Sequence, residues 1–68
     1  MTVIDARGMR CPWPAIRAAR ALRDAGAPLE ILADDPAAEG ELSRLAEAFG
    51  VTLLVTETSG YSRFRIVP

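Results

Sequence analysis

Sixty-eight residues, half of them hydrophobic, make one domain over residues 1–68. Its stability margin is thin, because a chain this short buries only about 60% of the surface that its unfolded form exposes. A single cysteine with no histidine excludes an internal disulfide framework, a zinc site and a Cys/His catalytic pair, and a net charge of −1 lacks the positive field that nucleic-acid binding draws on.

In chain order, Val3, Ile4 and their neighbours form a short extended run that ends at Gly8. An alanine- and arginine-rich segment from Pro12 to Ala25, closed by Gly26, predicts a helix. At 100° per residue, Ala15, Ala18, Ala19, Leu22 and Ala25 share its core-facing side, and Trp13, Arg17, Arg20 and Asp24 share the opposite one. Leu29 to Ala33 is a short apolar run between Pro28 and the pair Asp34-Asp35, and reads as a buried strand. A second helix follows from Pro36 to Phe49, with Ala38, Leu42, Leu45 and Phe49 on one stripe and Gly50 as its stop. Gly40 inside it costs about 1 kcal/mol relative to alanine. Val51 to Thr58 and Tyr61 to Val67 alternate in polarity around Ser59-Gly60 and predict a hairpin, with Val51, Leu53 and Val55 facing Phe64 and Ile66.

The order is therefore βαβαββ, an α/β two-layer sandwich with a four-stranded mixed sheet and both helices on one face. Thr52, Leu54, Thr56, Arg63 and Arg65 are expected on the open face, half polar as a solvated sheet surface requires. No stretch approaches the roughly 20 apolar residues that a membrane span needs, and no signal-peptide pattern opens the chain. A cytoplasmic protein with neither membrane nor direct nucleic-acid partners, monomeric when free, is the expectation.

The two helix starts, Cys11-Pro12 and Asp35-Pro36, have the same form. Proline at the first helical position loses nothing by lacking an N–H, which makes Asp35 an ordinary N-cap and puts Cys11 in the equivalent place. A neutral thiol caps poorly, whereas a thiolate accepts hydrogen bonds well. Free N–H groups, the helix dipole and Arg10 all favour the anion, and Pro14 removes one donor. The expected outcome is a moderately acidic thiol, with a midpoint below the free value of about 8.5.

Ile4-Asp5-Ala6-Arg7-Gly8-Met9-Arg10-Cys11-Pro12-Trp13-Pro14 resembles the hallmark of the TusA/SirA-like sulfurtransferase family: an aspartate, a glycine, then Cys-Pro-x-Pro at a helix start. Gly26, Asp34-Asp35-Pro36, Gly50 and the closing hairpin extend the resemblance along the whole chain. It implies a sulfurtransferase-type carrier without a cofactor or metal. Cys11 would take sulfane sulfur as a persulfide from a donor of the cysteine desulfurase or rhodanese type and relay it to an acceptor protein. Family members serve tRNA thiolation, molybdenum cofactor assembly, sulfur oxidation and selenium handling. Trp13 stands where relatives often have an acidic or aliphatic residue, and Ala37 to Glu41 replace a stretch that often carries Thr and Asp. Both departures are expected to bear on partner choice more than on sulfur chemistry. The competing function is a non-catalytic regulatory or adaptor module that uses the Cys-Pro-x-Pro loop for recognition.

Around Cys11, Gly8 is expected to supply a positive φ. Asp5 either orients the cysteine loop through backbone hydrogen bonds or ends the strand as a turn residue. Trp13, Arg17 and Arg20 form the candidate partner contact, being of the types that dominate interfaces, and Asp34 and Asp35, first a turn and a cap, could also meet a basic donor surface.

Overall fold

The computed structural model describes all 68 residues. Its elements are β1 (Thr2–Asp5), α1 (Trp13–Asp24), β2 (Leu29–Ala33), α2 (Ala38–Phe49), β3 (Thr52–Thr58) and β4 (Tyr61–Val67). The single sheet has the order β1-β2-β4-β3. β1 runs parallel to β2, and β4 is antiparallel to both β2 and β3, which gives the expected mixed sheet.

Alternation along the two central strands sets the core. Leu29, Ile31 and Ala33 of β2 are buried, and Leu29 and Ile31 face Ile66 and Phe64 of β4 in register. The apolar run Leu29–Ala33 is thus buried on one face only. Glu30 and Leu32 turn to the open face, where the Glu30 carboxylate lies 3.7 Å from the Arg63 guanidinium. The hairpin register pairs Leu53 with Ile66 and Val55 with Phe64.

Both helices close the inner face. α1 contributes Pro14, Ala18 and Leu22, and α2 contributes Ala38, Leu42 and Ala46. Small side chains dominate these contacts and let the helices approach the sheet closely, where Phe64, Leu29, Ile31, Leu42 and Ile66 fill the space between the layers. Two stripe positions differ from the sequence expectation. Ala25 lies just past the end of α1 and is exposed, and Phe49 has a suitable angle on α2 but is its last residue and stays 39% exposed. Gly50, at φ +70°, then turns the chain, and the Val51 N–H closes onto the Ala46 carbonyl at 3.0 Å, a left-handed helix stop that glycine adopts without strain.

Candidate functional site

β1 and β2 are adjacent and parallel, so the loops that leave them toward α1 and α2 emerge at the same end of the sheet. There the two helix starts meet. Cys11 lies on the first loop, exposed, two residues before α1.

Neither helix is capped as its sequence suggests. α1 begins at Trp13, with Pro12 itself in the cap position and no side-chain cap bond. The Trp13 N–H, a first-turn donor that could have faced the sulfur, is instead bonded to the Arg10 carbonyl at 2.9 Å. α2 begins at Ala38 with Ala37 in the cap position, again without a side-chain cap. In both, the proline lies inside a tight turn that leads into the helix, closed by the Trp13 N–H on the Arg10 carbonyl and by the Ala38 N–H on the Asp35 carbonyl, so the residue ahead of the proline falls before the cap position.

Asp34 and Asp35 cross to the other loop. Asp34 accepts the Gly8 N–H at 3.0 Å on each carboxylate oxygen, and Asp35 Oδ2 accepts the Cys11 N–H at 2.9 Å. The acids expected to be a turn and a cap are therefore clamps that hold the cysteine loop. Gly8 has φ +83°, a left-handed conformation that aims its N–H at Asp34. Asp5 takes the turn role of its two alternatives, accepting from the Arg7 N–H at 3.2 Å and from the Arg7 guanidinium at 2.9 and 2.8 Å. Those bonds hold its carboxyl at about 2. Pro14 is fully buried and packs in the core, in the second helical position where a missing N–H leaves nothing unsatisfied.

The Cys11 thiol donates to Glu41 Oε2 at 2.8 Å, across thirty residues of sequence. The other carboxylate oxygen, Oε1, is buried without a hydrogen-bond partner. The thiol pKa is raised above its ordinary value, first by this hydrogen bond, then by partial desolvation and by the charges of Glu41 and Asp35; only Arg44 pulls it down. The expectation of an acidified thiol is overturned, and with it the role given to Arg10. The cation acting on the sulfur is Arg44 of α2. Nothing local in the sequence marks Glu41, since an acid near a helix start reads simply as complementing the dipole. Of the Ala37 to Glu41 stretch, Glu41 is the residue that the fold brings to the sulfur.

Trp13, 58% exposed, lies with Ile16, Arg17 and Arg20 along a shallow groove of about 540 Å³ floored by Ile4. Arg20 also approaches Asp24 at 3.8 Å, an exposed pair that contributes little.

Residues 2–67 match the family model for sulfurtransferase TusA. A candidate sulfur carrier protein of Archaeoglobus fulgidus is 41% identical over 59 residues, which cover 84% of this chain and 77% of that protein. YrkF of Bacillus subtilis, also named as a candidate sulfur carrier, is 37% identical over 60 residues. The match takes in 85% of this chain but only 32% of YrkF. The crystal structure of a SirA-like protein from Desulfitobacterium hafniense superposes with a TM-score of 0.91 at 34% identity, over 98% of this chain and 96% of that one.

Proposed function

Because this chain belongs to the sulfurtransferase TusA family, a family of sulfur carriers, we propose that Cys11 holds sulfane sulfur as a persulfide and relays it between a donor and an acceptor protein. The observation that carries the reading is an exposed thiol, in no disulfide, on a loop whose backbone is pinned by Asp35 ahead of the second helix, ready to meet a partner. In acceptance, the Cys11 sulfur attacks the outer sulfur of a donor persulfide. A new S–S bond forms to Cys11, the donor's own S–S bond breaks, and the donor leaves as a thiolate. Delivery is the same exchange with Cys11 as the leaving group. Neither step needs an outside oxidant.

A donor of the cysteine desulfurase or rhodanese type fits this chemistry, and the groove of Trp13, Arg17 and Arg20, which begins two residues after Cys11 in the chain, is the proposed contact surface for such partners. Asp34 and Asp35, already bonded to the cysteine loop, serve the site from within.

Intact-mass measurement after incubation with a cysteine desulfurase and cysteine tests the proposal. The wild-type protein gains about 32 mass units, one sulfur, on Cys11. Cys11→Ser gains none and keeps its fold, because the serine hydroxyl can donate to Glu41 in place of the thiol. A wild-type chain that never gains sulfur points to the adaptor reading instead.

A further inference from the structure

Glu41 is a side chain that the relay described above has not used. Its carboxylate touches the reacting atom, 2.8 Å from the Cys11 sulfur, and that thiol is its only side-chain hydrogen-bond partner. The second oxygen is out of water and unpaired, so the group is oriented toward the sulfur and served by nothing else. We propose that Glu41 is the catalytic proton acceptor and donor for Cys11 in sulfur transfer, an inference that rests on the persulfide reading.

As Cys11 attacks a donor persulfide, the thiol proton passes along the existing hydrogen bond to Glu41, the new S–S bond forms, and the donor departs as a thiolate. Charge balances, because the carboxylate becomes neutral as the donor becomes an anion. In delivery, an acceptor thiolate takes the outer sulfur, the electron pair of the breaking S–S bond returns to the Cys11 sulfur, and Glu41 gives the proton back to it.

The surroundings, Glu41 first among them, keep the proton on the sulfur. Glu41 and Arg44 face the sulfur from α2, and Asp35 faces it from the preceding loop, one cation against two acids. A thiol in that field ionises reluctantly, and a thiolate of raised pKa is a poor leaving group. Protonation of the departing sulfur at hydrogen-bond distance offsets that handicap.

The test compares wild-type protein with Glu41→Gln. Both are loaded with inorganic polysulfide, and single-turnover delivery to glutathione is followed at pH 7 by loss of the extra sulfur mass. Alkylation of the empty proteins by iodoacetamide is measured in parallel. Iodoacetamide reacts with the free thiolate and expels iodide, which needs no proton. Glu41→Gln therefore alkylates faster, its thiol released from the carboxylate, while it delivers sulfur about ten-fold or more slowly. Delivery that is unchanged, or that accelerates together with alkylation, means that the carboxylate only suppresses the thiolate, and overturns the proposal. Should Glu41→Gln fail to fold, Glu41→Asp makes the same comparison with the carboxylate withdrawn by one methylene. A wild-type protein that takes up no sulfur at all brings down the persulfide reading itself, which separates that failure from a failure of Glu41 alone.

Discussion

Cys11 stands between a helix start, which favours an anion, and a carboxylate, which disfavours one, and the carboxylate wins. The dipole acts mainly through free N–H groups of the first turn. Here the Trp13 N–H is already bonded to the Arg10 carbonyl, whereas the Glu41 carboxylate accepts a hydrogen bond from the thiol directly. The consequence for stability has a definite sign. A group whose folded pKa is raised keeps its proton in the native state after the unfolded chain has lost it, so its contribution is complete below the unfolded value and is lost as pH rises through the folded one. Iodoacetamide alkylation of the wild-type protein is expected to rise with a midpoint above about 8.5, the free-thiol value. The urea midpoint should fall between pH 8 and pH 10 by more than it does in Cys11→Ser. A lower alkylation midpoint would restore the dipole as the dominant influence. Asp5 has the opposite sign: its contribution is present above the unfolded carboxylate value and disappears as pH falls through about 2.

At the scale of the element, α1 has two separate jobs. Pro14, Ala18 and Leu22 bury one side of it, and Trp13 with Ile16, Arg17 and Arg20 lies on the other. Truncating an indole that is 58% exposed opens no core cavity. Trp13→Ala is accordingly expected to melt within a few degrees of wild type. In a partner interface the same residue can contribute a few kcal/mol, so sulfur exchange with a protein donor should weaken while loading by inorganic polysulfide stays unchanged. Thermal melting and the two loading assays check both halves. Equal loss with the protein and the inorganic donor would mean that Trp13 acts on the sulfur rather than on the partner.

For the whole molecule, 68 residues at typical per-residue stability amount to roughly 3–10 kcal/mol. Phe64, 2% exposed at the centre of β4, joins the buried residues of both helices in one core. Phe64→Ala removes about 3–5 kcal/mol, a sum comparable to the entire margin. That variant is expected to be largely unfolded at 37 °C by circular dichroism, and retention of a cooperative transition near the wild-type temperature would show that the core collapses around the gap. The sheet order places this core between β2 and β4 and leaves β1, with its cysteine loop, at one edge. The site is thus built on the side of the molecule where a partner can approach.

The elements and the faces they bury were legible in the sequence, whereas the helix caps were not. The order of elements, the hairpin register and the outward side of α1 all follow from the period of apolar residues, because each strand and helix must bury one face. The proposal of Cys11 as the reacting residue rests on its being the single cysteine, within a Cys-Pro-x-Pro stretch. The tertiary structure alone decided what surrounds that cysteine. Asp34 and Asp35 read as local turn and cap residues, and Glu41 as a dipole complement, yet all three act on a loop 24 to 30 residues away. Parallel pairing of β1 with β2 brings the two loops together, and that pairing reverses the direction in which the thiol titrates. A pKa depends on the charges within a few ångströms of the sulfur, and here the chain supplies them from its second helix and the loop that leads into it.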